Sequence, residues 1–204
     1  MTVTEVDDER IIGAATQMFA ELGFDGSSLG LIADAAGTDA ATLRDKVGSK
    51  SELYKAVMRR MHSEEQAAVA DAVAAFAPTK PAMTRLLDAY LDFYADNPQL
   101  VSLWLHRRMG DAIDITEVEE KYARPSFTFM ADLLRHAVPE DLDVDYVLWT
   151  IPWLVSGFLS NGVMHSGPHG EAHGEGMHLT AADVQDFRRY LHGLMDRILP
   201  LPPA

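Results

Sequence analysis

Three observations predict an all-α chain in which a short N-terminal three-helix domain precedes a larger helical one. Alternating Val/Ile/Thr runs bounded by turn residues, the mark of strands, are nearly absent. Apolar residues recur instead at three- and four-residue steps. Capping residues and glycines punctuate those stripes where helices should start and stop.

Taken in order, Ile11, Ala15, Met18, Phe19 and Leu22 form the first stripe, and Gly23 is a natural stop. Ser27 is placed to cap a short second helix with Leu29, Ile32 and Ala33 inward, ended by Gly37. Asp39 is placed to cap a third, spanning 40–46. The box Ser49-Lys50-Ser51-Glu52 opens a longer helix with Leu53, Ala56, Val57 and Met61 inward, which must end before Pro78. Residues 78–81 are the one short linker with the composition of a boundary. Beyond it, Asn97-Pro98, Thr116-x-x-Glu119 and Thr180-x-x-Asp183 mark further helix starts. Pro125 and Pro152 fall inside apolar helical patterns and are expected to kink them. The stretch 143–164 is apolar nearly all round, which predicts burial on more than one side. Val184, Phe187, Leu191, Leu194, Met195 and Ile198 form a terminal stripe suited to a helix–helix seam. Internal repeats are absent.

The 204 residues are 48% hydrophobic and 24% charged, a globular balance on a chain long enough to bury a core. With no cysteine, disulfides, thiolate metal sites and cysteine nucleophiles are excluded. That usage fits a reducing cytoplasm, the expected location. The acidic, polar start does not read as a signal peptide. Residues 146–164 carry no charge and are long enough to cross a bilayer. They contain Thr150, Pro152, Ser156, Ser160 and Asn161, however, and no Lys or Arg lies between Arg135 and Arg188. A helix buried in protein is therefore expected, with no membrane partner.

A formal net charge of −14 argues at first against a nucleic-acid partner. The distribution argues the other way. From residue 40 to 60 there are six basic side chains (Arg44, Lys46, Lys50, Lys55, Arg59, Arg60) against two acids, Asp45 and Glu52. Charges more than about 8–10 Å away are largely screened at cellular salt, so a local basic surface still works.

Two short helices joined at Ala36-Gly37-Thr38 and preceded by a packing helix make a helix-turn-helix. Ala40, Ala41 and Thr42 are small enough to let the third helix approach base edges. Arg44 and Lys46 reach phosphates or guanine, and Lys50 with the free amides of the next helix adds a phosphate clamp. With Ser27, Ser28 and Thr38 at the flanking turns, these are the candidate DNA-binding residues.

At this point the sequence resembles the tetracycline-repressor-like (TetR) family of transcriptional regulators. The resemblance is carried by ArgIleIle, AlaAla and MetPheAlaGluLeuGlyPhe within 10–24, by SerSerLeu, IleAla and AlaAlaGly within 27–37, and by AlaThrLeu and Val-Gly-Ser-Lys-Ser-Glu-Leu within 41–53. It is close over residues 9 to 57. The remainder matches in helix layout and length, as the family's variable ligand domain would. Arg44 stands where the family has an aromatic, Val47 where it has Phe, and Leu31 where a polar residue is common. The resemblance implies a DNA-binding domain over 1–48 and a ligand-binding and dimerisation domain over 49–204. It also implies a ligand cavity among the central helices, and Trp104, Tyr122, Phe127 and Trp149 are the candidate lining.

No Lys or Arg occurs between Leu86 and His106 or between His136 and Phe187. A mostly apolar, neutral or cationic effector is therefore expected, held by stacking and one polar group such as Tyr122 or Asn161. Arg107, Arg108 or Arg124 turning inward would instead receive an anion. His165, His169, His173 and His178, with Glu171 and Glu175, have the spacing of a helical metal site. Gly167, Pro168, Gly170, Gly174 and Gly176 oppose a helix there, so a solvated loop with no metal is expected. No nucleophile elbow, phosphate loop or zinc-protease motif is present. His106, Asp111 and Asp114 are the acid–base set that remains, and they share no sequence geometry. The expectation is not an enzyme and no cofactor. It is a ligand-responsive regulator, a repressor, binding a pseudo-palindromic operator as a homodimer through helices near 144–162 and 181–199. The alternative is a ligand-binding dimer of the same fold with little DNA affinity.

Overall fold

The computed structural model describes residues 8–136, 138–166, 174 and 178–203. Among them every regular element is a helix: α1 (Asp8–Gly26), α2 (Leu29–Ala36), α3 (Ala40–Val47), α4 (Lys50–Ala74), α5 (Lys80–Asp96), α6 (Pro98–Arg108), a π-helical turn (Glu119–Ala123), α7 (Arg124–Leu134), α8 (Val144–Asn161) and α9 (Ala181–Ile198). None of them is long and apolar enough to cross a membrane. The chain forms two compact units. One holds the described residues up to Glu64 together with Gln99–Tyr122, and the other holds Glu65–Pro98 with the described residues from Ala123 onward. The part of α4 up to Glu64 thus belongs to the same compact unit as the three N-terminal helices.

In the first unit, α1 buries Ile11, Ala15, Phe19 and Ala20. Leu22, expected on the same stripe, is instead 45% exposed. The cause is Gly23, whose φ of 74° and ψ of 172° break the helix. The kink swings Phe24 inward, 6.0 Å from the Phe19 ring and 5.1 Å from Tyr54. Phe24 thus fills the place that Leu22 would have taken. A fully buried ring such as Phe19 contributes roughly 1.5–3 kcal/mol.

The cap of α2 is Ser28, not Ser27: the Leu31 amide donates to Ser28 Oγ at 3.2 Å. Ser27 lies one residue too early, and its hydroxyl donates to the Phe24 carbonyl at 2.9 Å. At the other end Gly37 adopts the left-handed conformation, φ 68° and ψ 38°, closing α2 as the sequence predicts. α4 buries Leu53, Tyr54, Val57, Met58 and Met61 on one face.

Glu119, expected to complete a capping box with Thr116, is bound elsewhere. Its carboxylate accepts from Arg107 Nε at 2.7 Å and Nη2 at 2.5 Å. The same guanidinium donates to the carbonyls of Ile115 and Ala112. Pairing with a buried cation outweighs a local cap, because an unpaired buried charge is far more costly.

In the second unit α5 packs on both α8 and α9, and α7 packs on α8. Pro125 does not kink a helix. It sits in the first turn of α7, where its missing N–H is no loss. Pro152 does lie within α8. α9 starts with the expected box, Thr180 and Asp183 each capping the other's backbone. Leu191 and Met195 are buried within their own chain, so that part of the terminal stripe is spent internally rather than on a seam. Arg188 bridges Asp88 and Asp92 of α5, and His192 meets Asp88 at 2.8 Å. α8 is buried on one face only in this chain: Val147, Leu148, Pro152 and Val155 face inward, while Tyr146, Trp149 and Trp153 are exposed.

Candidate nucleic-acid interface

The helix-turn-helix is built around a single carboxylate. Asp39 Oδ1 accepts from the amides of Ala41 and Thr42, both at 2.9 Å, and Oδ2 accepts from Thr42 Oγ1 at 2.7 Å. These bonds to Thr42 and Ala41 hold the Asp39 pKa below its ordinary value. Leu43 is the one buried side chain of α3 and anchors it to the core. The opposite face is open: Ala41, Arg44, Asp45 and Lys46 are exposed, and Ala40 and Thr42 are half-buried. Arg44 makes no ion pair among the described residues, so its guanidinium is available to an anion. Lys46 lies 3.6 Å from Asp8 at the start of α1. Thr38 is half-buried in the turn, its amide donating to the Ala33 carbonyl at 2.9 Å. Thr42 offers its methyl and the lone pairs of its hydroxyl, since the hydroxyl hydrogen is given to Asp39.

Two candidates point inward. Ser27 is buried, as described. Lys50 donates to the carbonyls of Phe24 at 2.6 Å and Ser27 at 3.0 Å, and its ammonium lies 4.2 Å from the Phe24 ring centre. It ties α4 to the turn between α1 and α2, with one of its three protons left for another acceptor.

Sequence reading missed what holds this turn from the other side. Asp111 accepts from the Phe24 amide at 2.6 Å and the Asp25 amide at 2.8 Å. His106 Nε2 lies 3.2 Å from the Ala20 carbonyl. Two of the three groups in the acid–base set that sequence offers, His106 and Asp111, thus meet the backbone at the end of α1. The local signal was slight: a polar residue following Gly110 in a non-helical stretch, 87 positions from its partner.

The ligand candidates fall into two pairs. In the first unit Trp104 is half-buried on α6 and Tyr122 meets His62 with the rings tilted, their centres 5.0 Å apart. Burial lowers the pKa of His62 and so favours the neutral ring there. In the second unit Phe127 stacks on Trp149 at 4.6 Å, and Trp153 continues the stack at 5.9 Å. A separate cleft of about 460 Å³ lies between α8 and α9, walled by Trp153, Phe158, Phe187 and Tyr190. None of the four candidates lines it. No group of three metal-ligating side chains occurs among the described residues. His169, His173, Glu171 and Glu175 lie outside them, and His165 is 3.4 Å from Asp183.

An all-helical chain whose N-terminus presents a capped, exposed third helix has a helix-turn-helix fold. Comparison narrows the class. Residues 11–57 match the family model of bacterial regulatory proteins, tetR family. No curated protein matches the chain in sequence. Among solved structures, the ketosteroid transcriptional regulator KstR2 of Mycobacterium tuberculosis is 20% identical, covering 98% of this chain and 99% of that one, with a TM-score of 0.66. A TetR-like transcriptional regulator from Rhodococcus sp. RHA1 is 17% identical, covering 93% of each, with a TM-score of 0.68. The regulator FadR from Bacillus subtilis, solved with stearoyl-CoA, is 18% identical over 74% of this chain and 87% of that one, TM-score 0.61. The N-terminal domain is a tetR-family domain, and the chain as a whole has the TetR-like fold.

Proposed function

We propose that this protein is a transcriptional repressor that binds a pseudo-palindromic operator as a homodimer and is released by a small, mostly apolar effector. The observation that carries the reading is α3: capped by Asp39, anchored by Leu43, and open on the face that holds Ala41, Arg44 and Lys46. Helices of this kind enter the major groove, with small residues near the N-terminus at the base edges. Ser28, Thr38, Ala40 and Thr42 border that face, whereas Ser27 and Lys50 shape the turn behind it. The dimer forms through α8 and α9, whose uncovered aromatic side chains suit an isologous seam. The candidate effector contacts are Trp104 and Tyr122 in the first unit and Phe127 and Trp149 in the second. That FadR is solved with stearoyl-CoA makes an acyl thioester a ligand to compare, but the two cation-free stretches favour a neutral or cationic molecule.

The test is a binding titration with duplex DNA from beside the protein's own gene, at several salt concentrations. Wild type should bind specifically. Arg44→Ala should weaken binding about tenfold, and if Arg44 meets a phosphate the log–log salt slope should fall by about 1. No DNA affinity above that for random duplex would favour the ligand-binding dimer instead.

A further inference from the structure

Thr42 lies in the first turn of α3, and its hydroxyl is bonded to a side chain: Oγ1 donates to Asp39 Oδ2 at 2.7 Å. The other carboxylate oxygen is held by the Ala41 and Thr42 amides, both at 2.9 Å, so Asp39 cannot turn away without losing the cap. An ionised carboxylate only accepts, and a hydroxyl has one hydrogen. Those bonds keep Asp39 ionised to a lower pH than an ordinary aspartate. The hydrogen on Thr42 is therefore spent, and Oγ1 offers only lone pairs to any other group.

That polarity decides which groups on DNA Thr42 can meet. Phosphate oxygens are acceptors, and so are O6 and N7 of guanine and O4 of thymine. None of them can bond to an oxygen with no hydrogen to give. The major-groove donors are the amino groups of cytosine and adenine. No other residue of α3 can play this part. Ala40, Ala41, Leu43 and Val47 carry no polar side-chain atom, Arg44 and Lys46 only donate, and Asp45 is an anion that the phosphates repel.

We propose that Thr42, its hydroxyl polarised by Asp39, is a base-reading residue that selects cytosine or adenine on the strand it faces and rejects guanine and thymine. Asp39 is its positioning residue. This rests on the operator reading above and names the bases that one side chain takes.

The full chain is used to select from duplexes of random sequence, and the bound pool is sequenced. One base pair of each half-site should be restricted to cytosine or adenine on one strand. Replacing that base by its des-amino analogue should weaken wild-type binding about tenfold. Thr42→Val keeps a methyl but has no acceptor, so it should bind both duplexes alike. Asp39→Asn should go further. Asn caps helices as well as Asp does, but its amide nitrogen in place of Oδ2 donates to Thr42 Oγ1 and releases the hydroxyl hydrogen. The preference at that pair should then invert to guanine or thymine on the same strand, with the rest of the motif kept. Asp45→Asn makes the same charge change on the same helix and should tighten binding to every duplex without altering the motif. A motif that is identical in wild type, Thr42→Val and Asp39→Asn overturns the proposal and leaves the operator reading standing. A uniform loss of affinity in Thr42→Val also overturns it, because Thr42 then meets a phosphate. A wild-type chain that enriches no sequence overturns the operator reading and the assignment of Thr42 with it.

Discussion

The two units solve the same packing problem with different means. The first is stitched by polar side chains to backbone amides and carbonyls far away in sequence. Asp111, Lys50 and Arg10 each bind main chain, and Arg107 joins Glu119 to two carbonyls. Its helices α2 and α3 have eight residues apiece, too short to be stable alone. Among the described residues the second unit has no helix as short as α2 or α3, and its helices are joined by apolar faces and by side-chain ion pairs at their rims. It also leaves Trp153 at 49% and Tyr190 at 56% exposure. A reading head has to keep one face uncovered and still hold its shape, so it is braced from behind. The larger unit holds its shape by burial and leaves apolar surface over for a partner.

That contrast can be broken most forcefully at Leu43. Leu43→Ala should cost about 2–5 kcal/mol, because α3 has no other buried side chain. Denaturant titration should show the head lost first, with DNA affinity abolished. DNA affinity at the wild-type level would mean that the caps alone hold α3. Next comes Trp153→Glu. A central aromatic at an interface is worth about 2 kcal/mol or more, so sedimentation should shift from dimer to monomer at micromolar concentration. Helix content should persist, since Trp153 is not part of the buried face. A wild-type chain that already sediments as a monomer removes the partner half of the contrast. Leu191→Asp is the wrong probe of that seam: at 1% exposure Leu191 supports its own chain, and a carboxylate there would unfold it.

Asp111→Asn should have a smaller effect, about 1–3 kcal/mol. The amide offers one acceptor oxygen where the carboxylate offers two, so the Phe24 or Asp25 N–H loses its partner. Hydrogen exchange at those two amides should rise before any change in the second unit. Exchange that stays slow would assign the brace to Lys50 alone. The smallest effect is the acid response of the α3 cap. The folded-state pKa of Asp39 is depressed, so its contribution is fully present above the ordinary aspartate value and is lost as pH falls through the lower folded one. Amide exchange at Ala41 and Thr42 should accelerate only in that acid window, and Asp39→Asn should flatten the response.

Much of the fold was legible because helices announce themselves locally. Asp39, Gly37 and the Thr180–Asp183 box act within three or four residues, and such signals survive in any tertiary context. What failed to show was set by distant partners. Leu22 had the right period, but the backbone turn at Gly23 gave its place to Phe24. Thr116 and Glu119 had the right spacing, but Arg107 competed for the carboxylate. Lys50 read as a surface cation until the turn carbonyls behind it were in place. Arg44 and Lys46 are exposed on α3, and Lys46 meets Asp8 from there. Glu65 gave no signal, because its partner Tyr94 lies on another helix, 29 positions further on.

The turn at Gly37 carries an implication for how such a sequence can change over generations. The residue has a positive φ, and Arg10 Nη2 donates to the preceding carbonyl, Ala36, at 2.8 Å. A β-carbon at position 37 would come within 2.8 Å of that same nitrogen. Two barriers thus guard one site, of different kinds and in different parts of the gene. A shorter side chain at position 10 lifts the steric barrier but not the conformational one. Asn, the residue that most readily tolerates left-handed backbone after glycine, lowers the second. Drift at this turn therefore has a preferred order. Loss of the arginine precedes loss of the glycine, and lineages in which 37 is not glycine should carry a small residue at 10.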